Sequence, residues 1–154
     1  MKKQIFLTFL IMLFVVSAVH IYIDEKPDKT YAASNWSRDV QLLARCVNGE
    51  ARGESYEGQV AVAAVILNRV EHPSFPNSIA GVIYQPGAFT ATVDGQIDVP
   101  IDTGSTVYKA CTDAMNGWDP SGGAIYYYNP AKTTNKWIYS RQVVRVIGNH
   151  TFAK

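Results

Sequence analysis

Two glutamates four positions apart, Glu50 and Glu54, carry the clearest chemical potential in the chain. Glu50 lies near the C-terminal end of a stretch whose apolar residues recur at helical spacing. At about 100° per residue it falls on the edge of the apolar stripe, between the directions of Leu43 and Cys46. Partial burial and the negative end of a helix dipole both disfavour an ionised carboxyl, so Glu50 is expected to hold a proton at neutral pH. Such a proton suits the breaking of a glycosidic bond, whose bridging oxygen leaves poorly until it is protonated. Glu54 is a candidate second carboxylate, with its direction left open because Gly53 can break the helix before it. Arg52 can pair with either glutamate or face solvent, and Glu57 suits the dipole at the start of the next helix. By itself, a glutamate at a helix end is most often a surface charge.

The elements that must position these residues follow from periodicity. Ser37 is a suitable N-cap for a first helix, with Asp39 in its first turn. Val40, Leu43, Ala44, Val47 and Ala51 form its apolar stripe, and Gly53 is a natural stop. A second helix is expected from near Ser55 to about His72, where Pro73 ends it. Its middle, Val60 to Leu67, is apolar all round, which places it at the centre of the domain. A Pro/Gly-rich stretch from Pro73 to Pro100 contains a short helix near Ile79 to Tyr84. A further helix spans about Ser105 to Asn116. The remainder reads as extended: Ala124 to Tyr128, Gln142 to Ile147, a Gly148–Asn149 turn, and His150 to Ala153. The expected class is α+β, a helical lobe followed by a small antiparallel sheet.

Length and charge bound the partners. The 154 residues suit one domain, and 47% hydrophobic against 18% charged residues suits a packed core. The net charge is +1. A neutral body lacks the footprint of phosphate-backbone binding, so nucleic acid is not an expected partner and an uncharged or mixed-charge polymer fits better. At the N-terminus, Lys2 and Lys3 precede an apolar run from Ile5 to Ile23. Residues 1–23 read as a signal peptide or membrane anchor, residues 24–35 as a linker, and residues 36–154 as the catalytic domain. Membrane contact is expected only through that first segment. Cys46 and Cys111 fall on apolar helix faces, as a disulfide or as buried free thiols. His20, His72 and His150 are scattered without matching Cys/Asp spacing, so neither metal nor cofactor is expected.

Several segments in order resemble the SleB/CwlJ family of cell wall hydrolases, the spore cortex-lytic enzymes and their relatives. They are Asn48-Gly49-Glu50-Ala51-Arg52-Gly53-Glu54-Ser55-Tyr56-Glu57-Gly58-Gln59, then Leu67-Asn68-Arg69-Val70, Gln85-Pro86-Gly87-Ala88-Phe89-Thr90, Tyr126-Tyr127-Tyr128-Asn129-Pro130 and Gly148-Asn149-His150-Thr151-Phe152. The resemblance covers essentially residues 37–153. It implies a lysozyme-like or lytic-transglycosylase-like domain, peptidoglycan as substrate, and Glu50 as the catalytic acid. Two departures are an apolar N-terminal segment, which the shorter CwlJ-type proteins generally lack, and the absence here of the peptidoglycan-binding repeat that SleB carries.

A glycan substrate would pack its C–H faces on aromatic rings. Glu54, Tyr84, Gln85, Phe89, Tyr127, Trp137 and His150 are the candidate substrate-binding residues, with Tyr126, Tyr128 and Asn129 beside them. Strand alternation turns Tyr127 away from Tyr126 and Tyr128, so one set belongs to the core. His150, next to a turn, suits a substrate contact or a plain structural hydrogen bond. If water attacks the sugar, a second carboxylate such as Glu54, Asp94 or Asp98 would be useful; if the muramic 6-hydroxyl attacks, with Glu50 acting as base, the product is a 1,6-anhydro sugar. Two rival readings are a Cys–His peptidase using Cys46 and His150, and a non-catalytic anchored glycan-binding module. The first needs a thiolate near the positive end of a helix or a close imidazole, and the place of Cys46 well inside a helix argues against it.

Overall fold

The second helix of the domain runs at its centre because nine consecutive residues, Gly58 to Ile66, are buried and all but Gln59 are apolar or glycine. A computed structural model describes residues 29–154, with side chains from Asn35 onward. The expected signal or anchor segment lies outside the described residues. Helix α1 spans Lys29–Ala51, α2 Tyr56–Glu71, α3 Ile79–Ile83 and α4 Thr106–Met115. Strands β1 (Tyr126–Tyr128), β2 (Val143–Ile147) and β3 (His150–Ala153) follow. Residues Ser37–Lys154 form one compact unit.

Local chemistry accounts for most boundaries. Ser55 Oγ accepts from Gly58 N at the start of α2, Ser78 Oγ from Gly81 N at α3, and Ser105 Oγ from Tyr108 N at α4. Each hydroxyl satisfies one of the amides a helix start leaves free. His72 is the C-cap of α2, where Pro73 forbids helical backbone. The start of α1 corrects the expectation at Ser37. The helix begins at Lys29 and runs through Ser37, so that serine caps nothing, and the last residues of the expected linker are helical. A serine at a plausible cap position does not start a helix when the residues before it, Thr30 to Asn35, contain no proline or glycine and are already helical.

Val40, Leu43, Ala44, Val47 and Ala51 are buried as expected and join α2, α3 and α4 in one core. α2 packs against α3 and α4 and also touches β1. The sheet is antiparallel, in the order β1-β3-β2. Tyr127 pairs with Phe152 on one side of β3, and Ile147 pairs with His150 on the other. A bulge between Val143 and Arg145 shifts the register of β2. The last strand in sequence is thus the middle one in space, and its first residue, His150, pairs with Ile147 of β2 one position before the pairing with β1 begins at Thr151.

Candidate active site

The carboxyl of Glu50 stands in the last turn of α1 and is half-buried. Its Oε1 accepts from Thr90 Oγ1 at 3.1 Å and from the Ala91 amide at 3.2 Å. Its Oε2 accepts from the Tyr127 hydroxyl at 2.9 Å. A short helical turn, Thr90–Thr92, presents the first two donors. It comes this close because residue 49 is glycine: a Cβ there would lie 2.6 Å from Cβ of Ala91. The third donor comes from β1. Tyr127 turns toward Phe152 and His150, whereas Tyr126 packs on Phe75 and Trp137, and Tyr128 on Tyr139. The alternation expected for this strand therefore holds. Burial, and then the adjacent Glu50 carboxylate, push the Tyr127 phenol well above its ordinary value, so it remains a donor.

Glu54 is held differently. Asn149 gives it two bonds of 3.0 Å each, from its backbone amide to Oε2 and from its side-chain amide to Oε1. Burial opposes the charge on Glu54. The Asn149 bonds, then His150 and Lys132, outweigh it and hold the carboxyl below its ordinary value. Gly148 has φ +56, and a Cβ on it would collide with Glu54 Oε2. The turn therefore needs glycine for both its backbone and its close approach.

A cleft of about 480 Å³ lies over these groups. Glu50, Glu54, Thr90, Tyr127, Asn129, Lys132 and His150 line it, together with Gly49 to Gly53. Among the candidate site residues, the structure thus gathers Glu50, Glu54, Tyr127 and His150. Thr90, Ala91, Lys132 and the clasping role of Asn149 escaped sequence reasoning; the small pair Gly49 and Ala91 was the available signal for the first two. Tyr84, Gln85 and Trp137 do not line the cleft, and Tyr84 and Trp137 are exposed elsewhere. Phe89 corrects the expectation of a groove aromatic. It is 3% exposed and lies under the Arg69 guanidinium, 5.4 Å from its ring centre, so it belongs to the core. Asp94 bonds to Gln96, and Arg52 also bonds to Gln96 rather than to either glutamate. Asp94 and Asp98 are exposed and do not line the cleft.

Cys46 and Cys111 are buried free thiols. Burial pushes both well above the ordinary thiol range, and nearby Glu50 adds to the effect on Cys46. A thiolate nucleophile is disfavoured there.

Comparison with known proteins agrees with this geometry. Residues 53–153 match the family model described as Cell Wall Hydrolase. A spore cortex-lytic enzyme of Bacillus cereus is 57% identical over 116 residues, which is 75% of this chain and 44% of that protein. A spore cortex-lytic enzyme of Bacillus subtilis is 55% identical over 118 residues, 77% of this chain and 38% of that protein. The chain thus spans less than half the length of these curated relatives. The solved catalytic domain of the germination-specific lytic transglycosylase SleB from Bacillus anthracis superposes with a TM-score of 0.72 at 56% identity, covering 75% of this chain and 93% of that one. The fold is the lysozyme-like α+β arrangement shared with that domain, and the chain belongs to the cell wall hydrolase family.

Proposed function

We propose that this chain cleaves the glycan strands of peptidoglycan between N-acetylmuramic acid and N-acetylglucosamine, with Glu50 as acid and then base. The observation that carries the reading is the division of labour between the two cleft carboxyls. Both oxygens of Glu54 are taken by Asn149, whereas Glu50 faces the cleft with two hydroxyl partners, Thr90 and Tyr127, that can donate or accept. The two oxygens of Glu50 are not equivalent. Oε1 accepts from a backbone amide, which can only donate. Oε2 meets a phenol, which can donate or accept. In its acid form Glu50 therefore carries the proton on Oε2, with the phenol oxygen turned to accept it. From there it passes to the bridging oxygen as the bond breaks through an oxocarbenium-like state. The Tyr127 hydroxyl then donates to the carboxylate that remains.

Water attack calls for a second carboxylate to activate it. With Glu54 committed to its clasp, attack by the muramic 6-hydroxyl, deprotonated by Glu50, is the favoured route and leaves a 1,6-anhydro sugar. The likeness to the catalytic domain of a germination-specific lytic transglycosylase supports the same outcome. Relatives named spore cortex-lytic enzymes support a cortex-type peptidoglycan as substrate. The apolar run after Lys2 and Lys3 supports action outside the cytoplasm, as a secreted or membrane-anchored protein. Their position in the cleft lining supports Glu54, Tyr127 and His150 as residues that meet the sugar.

The test is digestion of purified peptidoglycan by the chain and by its Glu50→Gln form, with fragments identified by mass spectrometry. Anhydro-muramic ends from the native chain, lost at least ~100-fold in the variant, are expected. Reducing muramic ends would instead point to hydrolysis, and released peptides would remove glycan cleavage as the activity.

A further inference from the structure

His150 is 7% exposed, yet it lines the cleft. Its ring meets Tyr127 edge-on at 5.1 Å and Phe152 at 6.3 Å. Nδ1 is buried and has no hydrogen-bond partner. Nitrogen chemistry then selects the tautomer. A buried N–H without an acceptor is the rarer and costlier defect, whereas a bare lone pair is better tolerated. The ring proton therefore belongs on Nε2, the polar atom left for the cleft. Around the ring stand Glu50 from α1, Glu54 from the turn after it, Tyr127 from β1 and Lys132 from the loop that follows. Burial, with a contribution from Lys132, holds the imidazole below its ordinary value despite both glutamates, so the ring is neutral at neutral pH.

A neutral donor set against an aromatic wall suits one substituent of the proposed substrate. An acetamido group offers a carbonyl, a stronger acceptor than a hydroxyl, joined to a methyl that packs on an aromatic ring. We propose that His150 is a specificity-determining residue, whose Nε2–H donates to the acetamido carbonyl of the bound amino sugar while Tyr127 supports its methyl. This rests on the glycan-cleaving reading above and adds to it a preference for N-acetylated strands.

The experiment compares initial rates of muropeptide release from N-acetylated and chemically de-N-acetylated glycan strands. The full chain is tested beside His150→Gln, whose amide nitrogen can reach the Nε2 position, and His150→Phe, which keeps a ring and removes the donor. The native chain is expected to favour acetylated strands about tenfold, the worth of one neutral hydrogen bond left unmade. His150→Gln keeps most of that ratio and His150→Phe loses it. The charge of a bared amine acts on all three proteins and cancels in the comparison. An unchanged ratio in His150→Phe, or equal loss of rate on both strands in both variants, overturns the proposal. If His150→Phe does not fold, nitrogen NMR of the native imidazole decides: a proton on Nε2 supports the assignment and one on Nδ1 overturns it. A native chain that releases no fragments from either strand would count against the glycan-cleaving reading itself, while the NMR result would still judge the tautomer.

Discussion

The Tyr127 hydroxyl donates to Glu50 Oε2 at 2.9 Å, joining the end of α1 to β1 across 77 positions of sequence. The bond orients the carboxyl and faces the one oxygen of Glu50 not held by a backbone amide. Tyr127→Phe removes the bond and leaves the ring packing on Phe152 and His150. A hydrogen bond to a charged group is worth roughly 1.5–3 kcal/mol, so the turnover rate should fall about ten- to a hundredfold. Rates of muropeptide release measure this. A variant with native turnover would show that Glu50 needs no partner on Oε2.

The clasp between Glu54 and Asn149 is tested through Gly148. A side chain at this position meets two obstacles, a left-handed φ and the Glu54 carboxylate. Gly148→Ala should destabilise the fold by about 1–2 kcal/mol from backbone conformation alone. It should cost more because the carboxylate must swing away from Asn149. Adding Glu54→Ala removes the collision but not the strain, so the two substitutions should be less than additive. Chemical denaturation of the single and double variants measures the coupling, and strict additivity would mean that the carboxylate does not press on the turn.

Much of this arrangement was legible in the sequence. Val40, Leu43, Ala44, Val47 and Ala51 recur at helical spacing and are buried, because periodicity reports directly on which face avoids water. Glu50 was found at the edge of that stripe, and Tyr127 on the face of β1 away from Tyr126, for the same reason. The donors from Thr90 and Ala91 were not legible. They come from an irregular Pro/Gly-rich stretch, where neither period applies and position depends on tertiary contact. Phe89 was misread because an aromatic residue in a loop serves a groove or a core equally well, and the half-buried Arg69 that claims it lies twenty positions away on α2. Ser37 shows the same limit at a helix start: capping chemistry marks possible boundaries, and the residues before the cap decide whether it is used.

The acid limb of stability should reflect Glu54 and His150 together. The Glu54 carboxyl is held below its ordinary 4.5 in the fold, so its stabilising contribution is present above that value and is lost as pH falls through the folded one. His150 is held below its ordinary 6.5. The unfolded chain therefore binds a proton there first, and stability also declines as pH drops below 6.5. Thermal unfolding from pH 8 to 3 should show the melting temperature of the native chain falling in both ranges. His150→Phe should flatten the upper range and Glu54→Gln the lower. Parallel curves for all three proteins would mean that neither group is linked to folding.

The two thiols separate glycan chemistry from its cysteine rival. Cys46 and Cys111 are fully buried and burial pushes both well above the ordinary thiol range, so almost no thiolate is available to an alkylating reagent in the folded state. Iodoacetamide at neutral pH should therefore leave the native protein unlabelled and fully active, and should label both cysteines once the chain is unfolded in denaturant. Intact-mass spectrometry before and after unfolding counts the adducts, while muropeptide release from the treated native sample reports activity. Rapid labelling of Cys46 in the folded protein with matching loss of activity would place the nucleophile at Cys46 and displace Glu50 from the centre of the reaction. Cys46→Ala offers the complementary measurement. Removing a buried sulfur leaves a small cavity and costs about 1 kcal/mol in stability, but a reaction that runs on Glu50 should keep its rate.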